Sequence, residues 1–138
     1  MKKVLILNGV NLGLLGTREV DVYGHQSFET YLNELQLDFP QLELHYFQTD
    51  HLEELVQKII KSNDFDGIVL NPGAYTHTAI VLADAIKAVK TPVIEVHISN
   101  LFGREQYRKN SMISGACIGS ISGFGLKSYK IALNFFND

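Results

Sequence analysis

Three short runs, VLIL, GIVL and VIEV, constrain this chain more than anything else in it. Each is almost wholly Val, Ile and Leu, without the apolar-polar alternation of a half-exposed strand. A strand apolar on both faces has to be covered on both, as in a parallel sheet with helices on each side. The rest of the chain supplies the cover. Helical periodicity runs over 28–39, 51–62, 78–89, 104–110 and 126–136, and strands are expected at 4–8, 43–48, 67–71, 93–97 and 116–120. Ser27 with Thr30, and Thr49/Asp50 with Glu53/Glu54, read as N-caps with acids in the first turn. Pro40 and Pro92 punctuate the ends of helical segments.

Strict alternation of strand and helix implies right-handed crossovers and an α/β fold. The expected architecture is a flavodoxin-like three-layer sandwich around a five-stranded parallel sheet of order 2-1-3-4-5. No repeat, linker or low-complexity tract interrupts it, so residues 1–138 are read as a single domain. The charge balance, 12 basic against 15 acidic residues, argues against nucleic acid or an anionic membrane as partner. No apolar run approaches the ~18 residues of a membrane span, and the apolar part of MKKVLILNG is too short for a signal peptide. The single cysteine, Cys117, leaves no internal disulfide; it is expected as a buried structural thiol in the last strand, and the expected address is cytoplasmic.

In this architecture ligands bind beyond the carboxyl ends of the strands. Those ends are Asn8 with the loop after it, Gln48 to Asp50, Asn71-Pro72-Gly73, His97 to Asn100, and Ser120 to Gly125, all polar or glycine-rich. Familiar chemistries fail there. Gly9, Gly13 and Gly16 have the wrong spacing for a dinucleotide loop, and no Walker lysine exists. A receiver domain would need carboxylates where this chain has the amides Asn8 and Asn71. The five histidines form no metal-binding motif.

What is left is a set of residues each with an ordinary reading. Tyr23 and Arg18 in a polar loop are commonly surface residues, His77 at a helix start reads as a cap, and Arg104 and Arg108 share a helix face. Glu95 points to the same side of its strand as His97 and is placed to orient the imidazole. Asp84 interrupts the apolar helix AIVLADAIKAV, two turns on from His77 along one face; a carboxylate there needs a partner, and such a helix suggests burial against a second subunit.

Four fragments in order, LNGVNLGLLGTREVDVYG, NPGAYTHTAIVLADAI, EVHISN and REQYRKNS, followed by GFG, resemble the successive signatures of type II 3-dehydroquinate dehydratases over nearly the whole chain. That resemblance implies an anti elimination of water from 3-dehydroquinate through an enolate, the third step of the shikimate pathway. It implies no cofactor, neither metal nor Schiff base, and trimers that pack into dodecamers. Residue by residue, Tyr23 matches the general base, Arg18 the arginine that holds it as tyrosinate, and His97 the general acid oriented by Glu95. Asn11 matches the amide that positions a water against the enolate oxygen. Asn71, His77 and Arg108 match substrate-binding positions, Ile98 and Ser99 the segment that grips the substrate carboxylate, and Asp84 a residue that reaches a neighbouring subunit's site.

The chain departs from the family pattern at Val10, where proline is common, at Ala83, where many members have arginine, and at Met112, where an aromatic is frequent. The first departure is expected to loosen the first turn and the others to alter the pocket rim. Two other readings stand beside the dehydratase: a flavodoxin-like binding or signalling module without turnover, and a metal-dependent hydrolase using His77, His97 and Asp84.

Overall fold

The computed structural model describes residues 1–10, 27–103 and 110–137. Its five strands are β1 (Lys2–Asn8), β2 (Leu42–Gln48), β3 (Gly67–Asn71), β4 (Val93–His97) and β5 (Gly119–Ser122). They form one sheet in the order β2-β1-β3-β4-β5, every pairing parallel, as expected. The helices are α1 (Phe28–Asp38), α2 (Leu52–Ile60), α3 (Ile80–Ala88) and α4 (Lys127–Phe136).

Strand period divides the core in two. Val4, Ile6, Val69, Ile94 and Val96 face Phe28, Tyr31 and Leu35 of α1 and Tyr129, Leu133 and Phe136 of α4. Leu5, Leu7, Ile68, Leu70 and Val93 face Leu55 and Ile59 of α2 and Leu82, Ala83 and Ile86 of α3. The inner strands β3 and β4 are buried at every position, whereas on the edge strand β2 only Leu42 is buried and the rest are half-buried or exposed. Leu44 and Tyr46 of β2 pack on the α1/α4 side and Phe47 on the other.

Local chemistry departs from the sequence expectation in a few places. Ser27 does cap α1, its Oγ accepting the Thr30 N–H. At α2 the cap residue is His51, without a side-chain cap bond; Thr49 Oγ1 instead accepts the His51 N–H and donates to the Glu54 carboxylate. The last strand begins at Gly119 rather than 116, because Ser114–Ala116 winds into a 3-10 turn. Cys117 therefore lies before the strand, half-buried, and burial pushes its thiol up to about 12. The helix expected at 104–110 falls largely outside the described residues.

Register brings the carboxyl ends of the inner strands level, with Asn8 opposite both Gln48 and Asn71, and His97 opposite Ser122. The turns after β1 and β3 pack backbone to backbone. A Cβ on Gly9 would lie 2.4 Å from the Pro72 carbonyl oxygen, and one on Gly73, at φ 65°, 2.6 Å from the Val10 carbonyl oxygen. The turn holding Val10 is thus braced by its neighbour without a proline.

Candidate active site

Two polar clusters occupy the carboxyl ends, one on each face of the sheet. On the α1/α4 side, Tyr129 stands between two amides. Its hydroxyl donates to Asn8 Oδ1 at 2.7 Å and accepts from Asn71 Nδ2 at 2.9 Å. Asn71 Oδ1 in turn accepts the Gly73 N–H at 3.1 Å, which fixes the turn after β3. All three side chains are buried, so these bonds replace water rather than compete with it. Phe28 packs on the cluster, edge-on to Tyr129 and stacked on Tyr46, each at 4.8 Å between ring centres.

On the α2/α3 side stands Glu95, with no exposed surface. It follows Val93 on the face that the apolar core occupies, and a carboxylate there survives only if its oxygens are satisfied. They are. Oε2 receives His97 Nε2 at 2.5 Å, Thr76 Oγ1 at 2.6 Å and Ser111 Oγ at 2.8 Å, and Oε1 receives the Ser114 hydroxyl. Burial pushes the carboxyl up, but the bonds and charge of His97 and the hydroxyls of Ser114 and Thr76 outweigh it and hold it at about 2.

His97 is 5% exposed and spends Nε2 on Glu95. Its Nδ1 takes no partner among the described residues and is the nitrogen left for a ligand. The pairing read from strand period is therefore present, a buried carboxylate holding an imidazole at a strand end.

The linkage has a definite sign. Because the folded value lies below the ordinary 4.5, ionised Glu95 contributes its full stabilisation above that pH and loses it as pH falls toward about 2. The contribution is on the order of 3 kcal/mol. Acid unfolding followed by circular dichroism should show this window, and Glu95→Gln should flatten it.

The other sequence candidates are placed as follows. His77 closes a 3-10 turn, Gly73–His77, rather than starting α3; its Nδ1 meets the Asn110 carbonyl at 2.7 Å. Ile98 is buried and its carbonyl accepts the Gly125 N–H at 3.0 Å, while the His97 carbonyl accepts the Gly123 N–H. The GFG loop is thus fastened to the segment holding Ser99, with Gly123 and Gly125 at positive φ. Asp84 corrects the sequence reading: it is exposed in this chain, on a face of α3 that also shows Ile80 and Val81. Since α3 begins at Ile80, the shared helix face with His77 does not hold. Ala83 is a core residue, not a rim residue, and Met112 is exposed. Asn11, Arg18, Tyr23 and Arg108 lie outside the described residues.

Among the described residues no group of three or more His, Cys, Asp and Glu could hold a metal ion, so His77, His97 and Asp84 are not brought together as such a centre. Sequence reasoning missed Thr76, Ser111, Ser114 and Tyr129. The one available signal was that buried Glu95 and the paired strand-end amides would need donors from elsewhere.

Comparison with known proteins bears on the fold and the family. The model of the family Dehydroquinase class II matches residues 2–137. A 3-dehydroquinate dehydratase of Caldicellulosiruptor saccharolyticus is 51% identical over 137 residues, 96% of this chain and 94% of that one. Type II dehydroquinase structures from Propionibacterium acnes and Butyrivibrio crossotus superpose with TM-scores of 0.94 and 0.93 at 38% and 39% identity. Each covers 99% of this chain, and the chain covers 97% and 98% of them. With the family model matching from β1 to the end of α4 and the same fold at a TM-score of 0.94, the chain belongs to the class II dehydroquinase family.

Proposed function

We propose that this chain is a hydro-lyase, a single catalytic domain that converts 3-dehydroquinate to 3-dehydroshikimate by anti elimination through an enolate, the third step of the shikimate pathway. The observation that carries the reading is the Glu95–His97 pair: a buried anion holding an imidazole by Nε2, with Nδ1 turned away from it. Protonated on both nitrogens, such a ring can hand its Nδ1 proton to a departing hydroxyl while Nε2–H stays on Glu95.

The other roles follow the family resemblance. Tyr23 removes the proton alpha to the ketone, Arg18 keeps it ionised, and Asn11 holds a water against the enolate oxygen. Asn71, His77, Ile98, Ser99 and Arg108 bind the substrate, with Asp84 contributed by a neighbouring subunit. Two features support parts of this. Burial pushes Tyr31, Tyr46 and Tyr129 up, which keeps them protonated donors and unsuited to act as the base. Ile80 and Val81, 63% and 46% exposed, put an apolar strip beside Asp84, as a trimer contact within a dodecamer would require. No helix among the described residues is long and apolar enough to cross a membrane, and the proposed setting is the cytoplasm.

The test is direct. Purified protein given 3-dehydroquinate should produce a rise in ultraviolet absorbance, because the product is a conjugated enone, and chelator treatment should leave the rate unchanged. A flat trace at any protein concentration would overturn the reading. Loss of all turnover on chelation would transfer it to metal chemistry.

A further inference from the structure

A buried carboxylate can meet a histidine in two ways. Ionised, it accepts from a ring N–H; protonated, it donates to a bare ring nitrogen. With Nε2 against the carboxylate in both, the first leaves the outward Nδ1 of a neutral ring bare and the second leaves it protonated, so the choice decides what that nitrogen can do to a ligand. For Glu95 the choice is made by its hydroxyl neighbours, and their hydrogen count can be worked through.

Ser111 Oγ accepts two backbone N–H groups, from Ile113 at 3.2 Å and Ser114 at 3.1 Å. With its lone pairs so engaged, its single proton has to leave toward an acceptor. Glu95 Oε2 lies at 2.8 Å and Thr76 Oγ1 at 3.0 Å. Thr76 in turn has no room to give its proton to a Ser111 oxygen already accepting twice, and Glu95 Oε2 is nearer to it, at 2.6 Å. Ser114 gives its proton to Oε1. Three O–H groups from two separate chain segments therefore converge on both oxygens of one carboxylate. An anion carries that load of donors, whereas a protonated Oε2, giving its own hydrogen to the ring, would be a poor acceptor for the two hydroxyls aimed at it.

We propose that Thr76, Ser111 and Ser114 are positioning residues for His97, acting through Glu95: their converging hydroxyls admit only an accepting carboxylate, which fixes the ring proton on Nε2 and presents Nδ1 to the substrate. The same hydroxyls fasten the chain beyond residue 109. Met112 N–H donates to the Thr76 carbonyl at 2.6 Å and His77 Nδ1 meets the Asn110 carbonyl, so residues 110–114 are held against the β3–α3 connection. To donate, Nδ1 must first take up a second proton, so the ring acts as the imidazolium with its Nε2–H still on Glu95 and returns to the Nε2–H tautomer once the Nδ1 proton has left. That role rests on the dehydratase reading; the choice of tautomer does not.

Nitrogen-15 imidazole spectra of the ligand-free protein, at a pH that holds the ring neutral, read the tautomer directly. His97 is expected with its proton on Nε2, and a proton on Nδ1 overturns the proposal. In Thr76→Val/Ser114→Ala the ring should become a mixture of tautomers. Its kcat should fall ~10-fold or more, the weight of a charged hydrogen bond or two, with KM within about twofold. Thr76→Ser should restore both readouts. A double variant with the native tautomer and native kcat overturns the proposal as surely as the wrong wild-type tautomer. If the double variant does not fold, Ser114→Ala alone is read by the same two measures. A chain with the Nε2–H tautomer that does not dehydrate 3-dehydroquinate sinks the functional reading and leaves the positioning arrangement standing.

Discussion

Tyr23→Phe is expected to lower turnover of 3-dehydroquinate by ~10²–10⁴-fold, the usual worth of a positioned general base, while KM changes little. The substitution removes one oxygen and keeps the ring, so binding contacts to the ring face survive. The reason the loss should be so large lies in the ionisation the base requires. A free tyrosine, with a pKa near ~10, is only about 0.1% ionised at neutral pH. A guanidinium within ~4–6 Å lowers such a value by ~1–3 pH units, which raises the reactive fraction roughly ten- to thousandfold. Arg18→Gln should therefore leave an enzyme that recovers as pH rises toward ~10, because the base regains its ionised form without help. Tyr23→Phe should not recover at any pH. Stopped-flow absorbance across that range separates the two, and a Tyr23→Phe protein with more than a tenth of native turnover would remove Tyr23 from the mechanism.

Glu95→Ala is expected to cost both stability and rate. Removing one member of a buried hydrogen-bonded pair destabilises by ~3–5 kcal/mol, and here it also strands the hydroxyls of Thr76, Ser111 and Ser114. The ring of His97 loses the bond that sets its plane, so protonation of the leaving group should fall with it, by ~10²-fold or more. Glu95→Gln keeps the volume but carries only one accepting oxygen; with that oxygen at the Oε2 position, one of the four donors, the Ser114 hydroxyl, faces the amide nitrogen. It should lie between the native chain and the alanine variant in both measures. Urea unfolding gives the first quantity and steady-state kinetics the second. A Glu95→Ala protein of native stability would mean that the carboxylate is not the hub its four contacts indicate.

How much of this was legible beforehand follows from distance along the chain. The doubly covered inner strands and the Glu95–His97 pair come from short-range periodicity, which a single sequence displays, whereas the strand order was expected only as the commonest arrangement of five alternating β-α units. The last strand was misplaced because Ala116 and Cys117 look like strand residues, while the 3-10 turn ahead of them depends on the Ser111 hydroxyl holding two backbone N–H groups. Asp84 was read as embedded because its helix is apolar on paper; α3 in fact buries only the face with Leu82, Ala83, Ala85 and Ile86. The donors to Glu95 were out of reach for a plainer reason. Thr76 and Ser111 are 35 residues apart, and no pattern in a single chain says that their hydroxyls meet.

The Tyr129 hydroxyl, wedged between Asn8 and Asn71, joins residues 121 positions apart. During synthesis this makes the floor of the site the last part to be completed. Until α4 has left the ribosome and docked, the amides at the ends of β1 and β3 have no hydroxyl between them, and the turn that Asn71 sets has lost part of its anchor. A nascent or C-terminally clipped chain can therefore pair its first strands and still present an unfinished cleft. Competence to bind then waits on the docking of α4, so the helix acts as the keystone of a cleft whose other walls are already standing.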